Sequence, residues 1–301
     1  MPSIFTHLLI AEKSLQRLGP GGPAVLLSSH ARVFFLGNLA PDFPYFGSLV
    51  DYRGLRLGGG LSAVGNQMEA TLARLAGLGR PPAPAGWEER FHRPDSGDLV
   101  RGWLERVRLR DGLDGRPAAV ACLLAGMFCH VVVDETFHPL VEALTGHPAS
   151  YRGQRLHRDL EIRLDYAFLE RAGFDAAGSG LKTQLERYFG HWRSRQEWFP
   201  EWLGREWRGL AGETGERFEK WLEGFWRAQA FLEHPLSPMA EGRRAHLKAA
   251  ASGARPEGWE SLMGRFDRAV EACVGHLRRE LGGFFAGEED HEAGDQAALR
   301  R

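Results

Sequence analysis

Two groups of histidine and carboxylate share one spacing in this chain. His130, Asp134 and His138 fall at i, i+4 and i+8, and His157, Glu161 and Asp165 repeat the same steps. At about 100° per residue, a step of four advances about 40°, so each triplet lies on one face of a helix. The first triplet belongs to a stretch otherwise built from Ala, Val, Leu, Cys, Met and Phe. Burying a carboxylate between two imidazoles in such surroundings costs several kcal/mol unless something compensates. A divalent cation does so directly, and imidazole nitrogen with carboxylate oxygen is a ligand set that zinc accepts. One His-x-x-x-Asp pair is more often a salt bridge or a satisfied core histidine. Two triplets on successive helices weigh against that plainer reading. Asp165 either orients an imidazole or pairs with Arg158 or Arg163.

The elements that must position these groups are helical. Leu8, Leu9, Leu15 and Leu18 mark one amphipathic helix stopped by Gly19-Pro20-Gly21-Gly22-Pro23. A second helix is expected from about Ala24 toward Leu36, with a turn Gly-Asn-Leu-Ala-Pro that delivers Asp42. A further helix is expected to end near Leu78, followed by a Pro-rich surface loop from Arg80 to Gly86. Asp98 to Leu109, Pro117 to about Phe137, and Gln154 to Arg171 read as the next three. His7 sits on the first turn of the first helix. By themselves His7 and Asp42 are unremarkable, a polar residue near a helix start and a turn residue or N-cap.

Later, Phe218, Trp221, Leu222 and Phe225 form an i, i+3, i+4, i+7 stripe, preceded by Trp192, Trp198, Trp202 and Trp207. Such a stripe is usually a core face, with a substrate or lipid lid as the other reading. No strand alternation or internal repeat interrupts the pattern. The expected fold is therefore all-α, a multi-helix bundle with a metal-binding cleft between helices. Residues 1–285 read as one domain, with the metal-binding part over about 1–175 and a Trp-rich helical extension over about 176–285. Residues 286–301 read as a polar, disordered tail.

Composition narrows the function classes. The chain has 301 residues, with 38 Lys+Arg against 39 Asp+Glu, which argues against a broad basic face for duplex DNA. Its 3 cysteines cannot form a disulfide framework, and a reducing compartment is the simpler expectation. The start lacks a basic n-region, a long apolar core and a cleavage site, so a cytoplasmic location is expected. The apolar run Ala118 to Val133 is about 16 residues, short of the ~20 that a bilayer span needs. No transmembrane segment is expected, although peripheral membrane contact is compatible with the sequence. The oligomeric state is not readable from it.

Four segments together resemble a known family. These are Ser3-Ile-Phe-Thr-His-Leu-Leu-Ile10, Phe35-Leu-Gly-Asn-Leu-Ala-Pro-Asp-Phe-Pro-Tyr45, Gly126-Met-Phe-Cys-His-Val-Val-Val-Asp-Glu-Thr-Phe-His-Pro139 and His157-Arg-Asp-Leu-Glu-Ile-Arg-Leu-Asp165. In this order, over about residues 3 to 170, they look like the zinc-dependent phospholipase C family, whose helical fold is shared with the fungal single-strand nucleases. The combined pattern is specific, whereas any one segment would be weak. Residues beyond about 175 match no motif.

The resemblance implies up to three zinc ions in a cleft between helices. Asp42, His130 and Asp134 would hold one, with a histidine from the intervening segment, for which His92 in Arg90-Phe-His-Arg-Pro94 lies in the right interval. Asp134 would bridge to a second ion that His7 also holds. His138, His157 and Glu161 would hold the third. Asp134 and His138 stand closer in sequence here than in the secreted members. Those members also ligate zinc through the amine and carbonyl of their mature N-terminal residue. Pro2 would play that part here once Met1 is removed, and its spacing to His7 equals the corresponding step in the fungal nucleases.

A clustered zinc site of this kind suits phosphate-ester hydrolysis, with Asp42 as ligand and general base by family analogy. Three readings follow: a phospholipase C-like phosphodiesterase acting on a small phosphate ester or phospholipid, a single-strand nuclease using the same site, and a non-catalytic helical protein that retains a structural metal site. The nuclease reading requires aromatic stacking platforms beside the metals.

Overall fold

The computed structural model describes residues 4–43, 95–108, 116–145, 151–174, 181–190, 200–211, 218, 222, 224–225 and 258–283. Its organising element is the apolar helix that carries the first His/carboxylate triplet. Helices α1 (Ile4–Arg17), α2 (Gly22–Ser29), α3 (Ala31–Leu39), α4 (Ser96–Arg108), α5 (Arg116–Thr145), α6 (Tyr151–Arg171), α7 (Leu181–Phe189), α8 (Glu201–Ala211) and α9 (Trp259–Gly282) follow in chain order, with a 3-10 turn at Ala40–Asp42 after α3. No strand occurs among the described residues, so the all-α expectation stands.

Helix α5 is central, packing against α1, α2, α3, α4, α6, α8 and α9. Its residues from Ala119 to Val133 are all nearly inaccessible to water, His130 included. A helix apolar on every side is stable only when neighbours cover every side. Pro117–Thr145 is long and apolar enough to cross a membrane, yet 94% of its most apolar window is buried inside the fold. The span expected to stop near Phe137 in fact runs on through Pro139 to Thr145. Pro139 removes the amide that would bond the Glu135 carbonyl, and from α9 the Arg265 guanidinium donates to the neighbouring Thr136 carbonyl.

Helices α3 and α5 approach backbone to backbone. A Cβ added to Gly37 would lie 1.9 Å from the Leu123 carbonyl oxygen, and one added to Gly126 would lie 2.0 Å from the Phe34 carbonyl oxygen. Only glycine at both positions lets the two backbones touch. The expected single helix from Ala24 to Leu36 is two helices joined at His30, and Gly37, Asn38 and Leu39 are the last turn of α3 rather than a loop. The expected turn is confined to Ala40–Asp42, where Pro41 opens a 3-10 turn that points Asp42 inward at 4% exposure.

The Trp-rich segment contributes core where it is described. Trp207, Phe218, Leu222 and Phe225 are buried. Trp103 meets Trp207 edge-on, and Phe218 packs between Trp207 and Phe43. Phe43 also contacts Phe225 with ring centroids 5.0 Å apart. Cys122, Cys129 and Cys273 are buried free thiols, and burial pushes the Cys122 and Cys129 thiols well up. The helix expected to end near Leu78, the Arg80–Gly86 loop and the tail 286–301 lie outside the described residues.

Candidate metal centre

Four elements bring seven of the sequence-predicted ligands into one cleft. His7 comes from α1, Asp42 from the 3-10 turn, His130, Asp134 and His138 from α5, and His157 and Glu161 from α6. His92 and Pro2 lie outside the described residues.

Asp134 is the hub. Its Oδ1 is 3.3 Å from His7 Nε2 and 3.3 Å from His138 Nε2, and its Oδ2 is 3.2 Å from His130 Nε2. Asp42 Oδ1 stands 3.8 Å from the same His130 Nε2. On α6, His157 Nε2 is 2.9 Å from Glu161 Oε1, which is also 3.8 Å from His138 Nε2. Two sets of donor atoms each fall within 4.8 Å of one another: His7, His130 and Asp134, and His138, His157 and Glu161. Asp134 touches both sets.

Helix geometry explains the local part of this arrangement. The i, i+4 steps place His130, Asp134 and His138 one above another on α5, as they place Glu161 above His157 on α6. The close α3–α5 crossing explains another part. With Gly37 and Gly126 in contact, the Asn38 carbonyl reaches to 2.8 Å from His130 Nδ1, and Asn38 Nδ2 donates to the Gly126 carbonyl. A carbonyl only accepts, so Nδ1 carries the proton and Nε2 faces the carboxylates.

Electrostatics sharpen the picture. Burial pulls the His130 imidazole down, but Asp134 and Asp42 outweigh it and raise the group to about 9. Burial lowers His7, and its neighbour His130 lowers it further, against partial support from Asp134 and Asp42. Burial would raise the Asp134 carboxyl, yet His138 and His130 hold it well below the usual carboxylate range. The carboxylates thus favour positive charge at His130. The donor chemistry fits a borderline divalent cation: imidazole nitrogens and carboxylate oxygens, converging, buried and walled by apolar side chains.

That wall also lines a cleft between α1, α5 and α6. Val133, Phe137, Val141 and Leu164 form its apolar side, and His7, Asp134, His138 and Glu161 its polar floor. Leu156, beside His157 in sequence, is 43% exposed. Glu135 is exposed and points away from the cleft, as its position beside Asp134 implies.

The zinc-dependent phospholipase C family model matches residues 6–214. The chain belongs to that family. No curated protein and no solved structure matches the chain significantly. Membership in the zinc-dependent phospholipase C family reaches past the last recognisable motif, through α7 and α8, so the extension beyond residue 175 begins inside the family region. Those helices carry no ligand-type cluster among the described residues. They contribute packing that a scan for chemistry-bearing residues passes over.

Two functional contacts of this zinc-dependent phospholipase C family member escape sequence reading. Asn38 stands in a quoted motif, but its main-chain oxygen, not its side chain, meets His130. Asp165 makes a contact that neither expected role foresaw. Its Oδ1 accepts from the Thr6 amide at 2.6 Å and the Thr6 hydroxyl at 2.8 Å, across to the start of α1. Only its i+4 spacing from Glu161 hinted at any role.

Proposed function

We propose that this protein is a zinc-dependent phosphodiester hydrolase acting on a phospholipid or a related small phosphate ester. The observation that carries the proposal is the position of Asp134, one carboxylate within 3.3 Å of three imidazoles from two helices. A carboxylate shared in this way would serve both groups of ligands, were zinc held there. Zinc held there would supply Lewis acidity toward a phosphate ester and make water nucleophilic near neutral pH.

The chain's own residues divide the remaining work. His7, His130 and Asp134 hold one group of donor atoms together, with Asp42 beside His130 as a further ligand. His138, His157 and Glu161 hold the other. Asp42, buried beside His130, is the general base that takes a proton from the attacking water. The Asn38 carbonyl fixes the His130 tautomer. Val133, Phe137, Val141 and Leu164 keep one side of the cleft dry and suit the apolar part of a lipid ester better than a sugar–base unit. Trp207, Phe218 and Phe225 are committed to the core and so are not platforms for stacked bases. His92, which lies within the family-matched residues, and Pro2 complete the ligand set, up to three ions.

The test is metal analysis combined with hydrolysis of p-nitrophenylphosphocholine. Zinc bound in excess of one ion per chain, with chelator-sensitive release of p-nitrophenol, is the expected result. Hydrolysis confined to single-stranded oligonucleotides, or one tight zinc with neither activity, would overturn the assignment. Intact-mass measurement of active, metal-loaded protein tests Pro2 separately, because retained Met1 would exclude its amine as a ligand.

A further inference from the structure

We propose that Asp165 and Thr6 form a positioning joint that sets the His7 imidazole against Asp134, so that the helix supplying one ligand group also holds the other in register. The inference rests on the metal reading given above.

His130 is braced from behind, since its Nδ1 bonds the Asn38 carbonyl. His7 has no such brace. Its Nδ1 is buried and has no hydrogen-bond partner among the described residues. Besides its Nε2 contact with Asp134, what locates the His7 ring is its stack on His130 and the path of its own backbone. That path is pinned one residue earlier. Thr6 is 2% exposed, and both its amide and its hydroxyl donate to Asp165 Oδ1, at 2.6 Å and 2.8 Å.

The joint is strong for three physical reasons. Thr6 lies in the first turn of α1, where amides have no acceptor within the helix. A carboxylate is favoured at that positive end. Bonds to an ionised acceptor are also shorter and stronger than neutral ones.

On α6, Asp165 follows Glu161 by four residues and His157 by eight, so all three share a face. α6 therefore presents His157 and Glu161 to His138 and, one turn further on, grips the start of α1 beside His7. A shift of α1 along α6 would pull His7 Nε2 away from Asp134 while leaving the His138, His157 and Glu161 group in place. Asp165 is thus a positioning residue, touching no proposed ion itself.

The experiment uses the full chain and three variants. Thr6→Val keeps the backbone amide and the side-chain shape but removes the hydroxyl donor. Thr6→Ser restores that donor. Asp165→Asn keeps an acceptor oxygen and removes the charge. Zinc affinity and stoichiometry are read by chelator competition, and the visible absorption of Co2+-substituted protein reports ligand geometry. Thr6→Val and Asp165→Asn are expected to weaken one ion by ~10-fold and to alter the Co2+ spectrum, with the remaining zinc retained and Thr6→Ser close to wild type. If both variants match wild type in affinity, stoichiometry and spectrum, even with a lower melting temperature, the joint is only a helix dock and the inference is wrong. Wild-type protein that binds no metal would instead overturn the proposed function itself.

Discussion

The imidazoles of His7 and His130 stack with centroids 4.1 Å apart and planes within 7° of parallel. Two rings in that relationship cannot comfortably both carry charge in a buried site, and the directions of their titration agree: His130 is held protonated, raised to about 9, while His7 is pushed toward the neutral form. His130 thus holds a proton beside Asp134 and Asp42.

A pH dependence follows from that proton. An ion entering the cleft must displace it, so zinc affinity should rise as pH increases through neutrality toward about 9. Calorimetry at pH 7.5 in buffers of different ionisation enthalpy should show proton release on binding. The metal-free protein has the opposite dependence. A histidine raised to about 9 contributes stability that is fully present below its unfolded value of about 6.5 and lost as pH rises through about 9. Asp134, held low, contributes stability present above the ordinary carboxylate range and lost as pH falls below it. Urea titrations of chelated protein across this range check both limbs.

Asp134→Asn should remove activity and metal together. The amide keeps the shape but cannot supply anionic oxygens to two groups of ligands at once. Inductively coupled plasma analysis is expected to show zinc content reduced by more than one ion, and turnover should fall at least 10²-fold, a scale set by loss of direct charge stabilisation. Full metal and full turnover in this variant would show that the hub lies elsewhere.

Gly126→Ala tests the helix crossing. The added Cβ would lie 2.0 Å from the Phe34 carbonyl oxygen and 2.6 Å from the Asn38 nitrogen. Backbone cannot yield as a side-chain tip can, so α3 and α5 must separate, at a cost of about 3 kcal/mol. Separation withdraws the Asn38 carbonyl from His130. The urea midpoint should fall, and any protein that still folds should bind zinc more weakly.

Phe225→Ala tests what the late helical segment contributes. Phe43, adjacent to Asp42, packs against Phe218 and Phe225. Truncating a fully buried phenylalanine costs about 3–5 kcal/mol, and here the cavity opens under the residue next to the proposed base. Stability and kcat are both expected to drop, with the larger fractional loss in kcat at temperatures where the variant remains folded. An unchanged kcat in a destabilised variant would make the segment a scaffold with no influence on Asp42.

Much of the site was legible because its spacing is local. An i, i+4 step within one helix places side chains together whatever the rest of the chain does, so His130, Asp134 and His138 on α5 and His157 and Glu161 on α6 could be grouped from their numbers alone. The all-helical class was legible for the same reason, since a 3.6-residue period is written in consecutive residues. Distances between elements are a different matter. That Asp134 is shared among His7, His130 and His138, that the Asn38 carbonyl rather than its amide braces His130, and that Asp165 reaches Thr6 all depend on how helices far apart in sequence cross. Those crossings are set by packing, above all by the absence of two Cβ atoms at Gly37 and Gly126. A glycine's number says only that the backbone there is free to be approached; which backbone approaches it is decided by the assembled core.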